Sequence, residues 1–246
     1  MSIKIIPIKI SKNVEKNDSL TDLILNSTSN SELRDGDILI VAQKIISKRE
    51  GYQVNLEKVI PSVLATGIAA EYDKDPKVIE VILSQTSRIV RMENGIIIVE
   101  TIHGFVCANA GVDESNVKNG FVTLLPRDPD TSANNLSQEI KEKIGKEVAV
   151  IIADTFGRPF RMGQTNIAIG IAKISSILDY EGTKDTYGRT MKVTAIAIAD
   201  ELCSAAELVM GKNLDSPIAI IRDYKFNQSD SSVKELVRPK PEDLFR

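Results

Sequence analysis

The stretch VIIADTFGRPFRMG, residues 150–163, runs from an uninterrupted apolar segment into an acid, a hydroxyl, a glycine and two arginines. A short apolar run bounded by polar residues is the pattern of a strand covered on both faces. A strand is predicted over 148–153, which places the Asp154 carboxylate at a strand end, where open sheets build their clefts. Thr155 adds a hydroxyl and a backbone oxygen beside it. The alternative for Asp154 is a turn-forming acid that bonds its own backbone.

Working outward, further Ile- and Val-rich runs predict strands at 3–8, 37–42, 96–100, 105–108, 121–125, 166–171, 192–197 and 218–221. Helical periodicity is clearest in SANNLSQEIKEKIG (132–145), where Ala133, Leu136, Ile140 and Ile144 recur every three or four residues and Gly145 ends the turn. A second helix is expected in ADELCSAAELVMG (199–211), and others over 61–72 and 76–84. Strands do not alternate strictly with helices, which disfavours a doubly wound parallel sheet. The expected class is α+β, with mixed, largely antiparallel sheets and flanking helices. No repeat or long linker divides the 246 residues, so one domain is expected, with room for two lobes. DYKFNQSDSSVKEL (223–236) is polar enough for a mobile loop before a last short helix.

Composition excludes several classes of function. A net charge of −3 argues against a dedicated nucleic-acid binder while leaving room for a local basic pocket. Cys107 and Cys203 each lie in an apolar stretch and read as buried free thiols. With one histidine, His103, and no Cys/His cluster of zinc spacing, a histidine-rich site is ruled out, and any metal is expected to be a hard, oxygen-seeking ion. His103 itself reads as structural rather than as a base. The N-terminal MSIKIIPIKI suits an edge strand better than a signal peptide. No apolar segment approaches the roughly 20 residues that cross a bilayer. A cytoplasmic protein with no membrane or nucleic-acid partner is expected.

Chemistry gathers in a few segments. In CANAGVDESN (107–116), Ala110 and Gly111 permit a tight turn, and Asp113 and Asn116 share a face if a helical turn starts there. Asp113 otherwise serves as an N-cap. Two carboxylates such as Asp113 and Asp154 are what Mg2+ or Mn2+ needs when it also holds phosphate oxygens. Lys44 and Lys48, just after the strand at 37–42, have the reach to meet a phosphate chain. The chain lacks GxxxxGK[ST], so a nucleotide would need another scaffold. Arg158 and Arg161 suit a carboxylate or phosphate, or alternatively surface ion pairs. KDTYGRT (184–190) reads equally as a hairpin turn.

In order and spacing, HGFVCANAGVDESN (103–116), VIIADTFGRPFRMG (150–163), KDTYGR (184–189), ELVMGK (207–212) and ELVRPKPEDLFR (235–246) closely resemble the coenzyme F420-0:L-glutamate ligases, the gamma-glutamyl ligases of the deazaflavin coenzyme. The resemblance runs from the first strand to the C-terminus. It implies a GTP-dependent amide ligase with an α+β fold of its own that forms an intertwined homodimer. Two Mg2+ or Mn2+ ions, with K+ as a further candidate, then share a cleft with GTP. The terminal carboxylate of F420-0 becomes an acyl phosphate, the amino group of L-glutamate attacks it, and GDP and phosphate leave; many members add further gamma-linked glutamates.

Carried over by motif, Asp113 and Asp154 look like metal ligands and Thr155 like a ligand of the second ion. Asn116, Lys48 and the segment holding Leu208, Val209, Met210, Gly211, Lys212, Asn213 and Asp215 look like GTP contacts, with Lys44 beside them. Arg158, Arg161 and Arg189 are assigned by charge alone to the acidic precursor or to glutamate, Arg158 also as a catalytic group. The chain departs from the family in three places. ISKNV (10–14) stands where Gly-Leu-Pro is usual, and RDY at Arg222 replaces Arg-Gly. Lys212 takes an acid or amide position and cannot ligate a cation while protonated, so the Gly211 backbone oxygen would substitute. No flavin is expected, because the chain ends without the reductase domain fused in some bacteria. The competing readings are a metal-dependent nucleotide phosphohydrolase and a non-catalytic deazaflavin-binding protein.

Overall fold

The apolar run around Ile151 forms an inner strand of the main sheet in a computed structural model that describes residues 2–28 and 33–244. In chain order the strands and α-helices are β1 (Lys4–Ile8), α1 (Leu20–Ser27), β2 (Ile38–Ala42), α2 (Gln43–Glu50), β3 (Gln53–Asn55), α3 (Val63–Tyr72), α4 (Pro76–Ser84), β4 (Thr86–Glu93), β5 (Ile96–Thr101), β6 (Val106–Ala108) and β7 (Phe121–Thr123). They continue with α5 (Pro129–Ile144), β8 (Ala149–Arg158), β9 (Arg161–Ala172), β10 (Leu178–Asp179), β11 (Ala195–Ile196), α6 (Ile198–Met210) and β12 (Ile218–Arg222). The expected mixed, mostly antiparallel α+β class is the one observed.

The main sheet has the order β1-β12-β2-β8-β9, and of its pairs only β2–β8 is parallel. Ile38, Leu39, Ile40, Val41, Ile151 and Ile152 expose no surface, so both faces of these strands are covered. Helix α6 packs on every strand of this sheet, and α5 packs on β8 and β9. The first turn of α5 lies so close to β9 that a Cβ at Gly170 would sit 2.5 Å from the Pro129 backbone. Helices α3 and α4 and the β4-β5-β6 sheet enclose a separate core around Ile68, Ile79, Ile82, Ile97 and Val99. Ser62 and Asp75 cap α3 and α4 with side-chain bonds, which explains why these helices start where they do.

One correction bears on the site. Asp154 does not end its strand: β8 continues to Arg158, and Asp154 pairs with Ile167 inside a ten-residue strand. Strand β2 stops at Ala42, opposite Ala153, so from Asp154 onward β8 and β9 pair only with each other. A free two-stranded ribbon buries neither face fully and carries little hydrophobic pattern. Its tip exposes Phe160 and Met162. The strand predicted over 192–197 shrinks to β11, because Val193 is 89% exposed and has no surface to bury against. The loop over 223–236 is irregular up to a short 3-10 turn at Val233–Leu236. It is tied to α5 by a 2.7 Å bond from the Ser232 hydroxyl to Asp130.

Cys107 and Cys203 are free and buried. His103 bonds the Pro126 carbonyl through Nε2 at 2.9 Å and stacks its ring on Phe105, while its buried Nδ1 has no hydrogen-bond partner among the described residues. No helix among the described residues is long and apolar enough to cross a membrane.

Candidate active site

Strand β2 ends at Ala42, opposite Ala153 in the middle of its parallel neighbour β8, so the start of α2, with Lys44, lies beside Asp154. A third segment arrives from β6 through Asn109, Ala110 and Gly111, whose φ values of 53°, 53° and 69° are all left-handed. At Gly111 a side chain is excluded twice, by φ and by Leu125, which a Cβ would meet at 2.7 Å. The turn delivers Asp113 to a bridge with Thr123, the two residues exchanging N–H···O bonds of 3.1 and 2.9 Å. The Asp113 Oδ2 atom then pairs with Lys44 Nζ at 2.5 Å, and its Oδ1 accepts from the Ser115 N–H at 2.7 Å. Asp113 thus closes its own turn, as an Asx residue does, and also faces a cationic group. The helical turn that would put Asp113 and Asn116 on one face does not form; Asn116 adopts φ 57° and is exposed.

A fourth segment enters where α6 ends at Gly211. Lys212 Nζ donates to the Thr155 hydroxyl at 2.5 Å and lies 3.5 Å from Glu207 Oε1. The Thr155 hydroxyl donates to Asn166 Oδ1 at 2.7 Å, and Asn166 Nδ2 donates to Glu207 Oε2 at 2.7 Å. Sequence reasoning passes over Asn166 and Glu207. A buried amide opening an otherwise apolar strand is the signal that could have found the first of them.

The electrostatics join these segments. Burial pushes the Asp154 carboxyl up to about 6; the Thr155 N–H opposes this, the Asp113 charge adds to it, and the Lys44 and Lys212 charges pull it back down. Burial also works to raise Asp113, but Lys44 and Ser115 hold it below its ordinary value. Lys48 is 8% exposed and lowered by burial and by Lys44, with Asn13 Oδ1 accepting its proton at 3.2 Å. Asn13 belongs to the ISKNV segment, so that loop reaches the site through a side chain. Burial, then the nearby Asp154 charge, pushes the Cys107 thiol up to about 12, which makes it inert.

The remaining predicted residues are more dispersed. Arg158 bonds the Met162 carbonyl at 3.3 Å within the ribbon, and Arg161 is exposed there. Arg189 sits in a hairpin closed by a Lys184–Thr190 bridge, with Asp185 accepting its backbone N–H at 2.8 Å. Leu208 is exposed, Val209 packs on the core, and Met210 is buried, so Met210 offers a ligand only backbone. Asn213 is exposed, and the Asp215 carbonyl accepts from the Ile10 N–H at 3.0 Å. A concavity of about 860 Å³ lies elsewhere, bordered by Ser19, Glu50, Arg127 and Asn135, and includes neither acid.

The donors fit a hard cation. Asp113, Asp154 and Thr155 offer only oxygen, and the described residues hold no cluster of three or more His, Cys, Asp or Glu that would make a closed protein cage. A Mg2+ or Mn2+ ion held here keeps positions open for phosphate oxygens or water. The ammonium groups of Lys44 and Lys212 against Asp113 and Thr155 mark where positive charge is welcome.

Comparison with known proteins is consistent across the chain. Residues 8–223 match the family described as F420-0:Gamma-glutamyl ligase. The chain is similar to the coenzyme F420:L-glutamate ligase of Methanothermobacter thermautotrophicus, 45% identical over 251 residues that cover 100% of both chains. It is 47% identical to that of Methanocaldococcus jannaschii over 87% of this chain and 86% of the relative. It is 41% identical to that of Methanopyrus kandleri over 100% of this chain and 98% of the relative.

Proposed function

The chain belongs to the F420-0:gamma-glutamyl ligase family, and from that premise we propose that it joins one or more L-glutamates to coenzyme F420-0, using GTP and releasing GDP and phosphate. The convergence of Asp113, Asp154, Lys44 and Lys212 on one spot supports this reading.

A free carboxylate resists attack by an amine because it has no adequate leaving group. Moving the γ-phosphoryl group of GTP onto the terminal carboxylate of F420-0 supplies one. The glutamate amine then attacks the acyl carbon, the amide bond forms, and phosphate departs. Phosphoryl transfer needs little covalent help from a protein, so positioning and positive charge do most of the work. Lys44 and Lys48, four residues apart on α2, fit the phosphate chain, alongside Asn116 and the backbone of 208–215. Asp113 and Asp154 would hold Mg2+ or Mn2+, with Thr155 and the Gly211 carbonyl available to a second ion. Such an ion, when bound, neutralises charge on the phosphate oxygens. The exposed Arg161 and Arg189, with Arg158, suit the acidic precursor or glutamate. The apolar Phe160 and Met162 at the ribbon tip favour burial against a second copy in a homodimer.

The test is incubation with GTP, Mg2+ or Mn2+, L-glutamate and F420-0, followed by mass analysis. Growth of F420-0 by whole glutamyl units, with one GDP released per unit, is expected. Rapid GTP breakdown without either acceptor, and no glutamyl product, would move the protein to the phosphohydrolases. Lys48→Ala is expected to weaken GTP binding by about 10- to 100-fold, the worth of a charged hydrogen bond, while the KM for glutamate stays within about twofold. Calorimetric titration with GTP checks this, and an unchanged affinity removes Lys48 from the nucleotide site.

A further inference from the structure

We propose that Asn166 and Glu207 are positioning residues that fix the polarity of the Thr155 hydroxyl, so that its one proton points to Asn166 and its lone pairs face a cation. This rests on the reading of Thr155 as a cation ligand.

Counting protons along the chain of bonds fixes every orientation. A carboxylate only accepts hydrogen bonds, so the Asn166 atom 2.7 Å from Glu207 Oε2 must be the amide nitrogen. The amide oxygen then necessarily faces Thr155, at 2.7 Å, and the Thr155 hydroxyl must donate to it. A hydroxyl has one proton, and with that committed to Asn166 the rest of the oxygen offers lone pairs alone. The Lys212 ammonium, a donor, already sits on that side. Reversing the relay would turn the Thr155 proton toward the cation and repel it.

The geometry is held from three directions. Thr155 and Asn166 are cross-strand partners in the β8–β9 register. Asn166 is 4% exposed, so water does not compete for its amide. Ser204 on α6 donates to the Asn166 backbone carbonyl at 2.9 Å, fixing the helix that carries Glu207 against the strand.

Mn2+ affinity of the full chain, read from the loss of the free-ion magnetic resonance signal, tests this with variants that all keep the wild-type charge. Asn166→Leu breaks the relay, and Glu207→Asp draws the carboxylate back from Asn166. The double variant Asn166→Asp/Glu207→Gln rebuilds it, because the amide introduced at 207 donates to the carboxylate introduced at 166, which still accepts from Thr155. Asn166→Leu and Glu207→Asp are each expected to weaken Mn2+ about 10-fold or more, and the double variant to stay within about threefold of wild type. Wild-type affinity in Glu207→Asp, whose site lies at the partly exposed surface of α6 and whose folding is the safer of the two, overturns the relay even if Asn166→Leu fails to fold. A double variant as weak as the single ones overturns the assigned polarity. No Mn2+ binding by the wild type overturns the cation reading of Thr155 and the relay with it.

Discussion

Asp154→Asn is expected to cut glutamyl transfer by at least about 100-fold, as removing a transition-state charge stabiliser does, and at the same time to make the metal-free protein more stable at neutral pH. The second half follows from the carboxyl group's environment. Burial raises it to about 6 in the folded chain, whereas the unfolded chain has the ordinary value near 4. Between those two values the folded state binds a proton that the unfolded state has released. The contribution of this one group to stability is therefore most favourable below about pH 4, falls as pH rises through the window, and its loss is complete above about 6. At pH 7 the ionised group costs on the order of 1–3 kcal/mol, allowing for partial screening by solvent. The isosteric amide removes that cost and its pH dependence. Urea unfolding without divalent ions should show the variant ahead of wild type at pH 7 and level with it near pH 4. A variant that turns over normally, or that is no more stable at pH 7, would show that Asp154 is neither a strained acid nor part of the chemistry.

Such a cost is what a working site would carry, because a half-buried, poorly solvated acid is destabilising until a cation joins it. Lys44 and Lys212 offset part of the penalty but leave the carboxyl well above its usual range. A protein selected for stability alone would carry an apolar residue or an amide at this position.

The main sheet is legible in the sequence where strands are buried on both faces, as with Ile38–Ala42, the first half of β8 and Ile218–Arg222, because a short continuous apolar run suits a strand with cover on each side. Legibility ends where pairing has no core behind it. Beyond Asp154 the β8–β9 ribbon buries only Phe156 and Asn166, which leaves no hydrophobic period to read. Strand β4 escapes for the same reason, most of its residues being exposed. Helices α1 and α2 escape too; eight residues each are too few for a clear amphipathic repeat. Asp113 and Asp154 can be found because acids stand out after apolar runs. The Thr155–Asn166–Glu207 relay is invisible at that level, since it depends on strand register and on a helix that arrives from 41 residues away.

At the opposite end of the sheet, Arg222→Ala is expected to lower stability by about 3–5 kcal/mol without touching the site directly. Arg222 and Asp37 are 6% and 1% exposed and form a two-pronged pair, Nε to Oδ1 at 2.8 Å and Nη2 to Oδ2 at 2.6 Å. Asp37 immediately precedes β2, accepts the Arg34 N–H at 2.8 Å, and passes its carbonyl to the Ala149 N–H at 3.0 Å. Asp37 thus joins the end of β12 through its carboxylate and the start of β8 through its backbone carbonyl. Removing the guanidinium leaves a buried charge with fewer partners, which costs more than the pair itself contributes. A double change to Asp37→Leu/Arg222→Met should therefore be less harmful than Arg222→Ala alone. Urea unfolding with an unchanged slope and a lower midpoint would show this. A loss below about 1 kcal/mol for Arg222→Ala would mean that the pair is solvated in practice and that sheet packing alone holds the three strands.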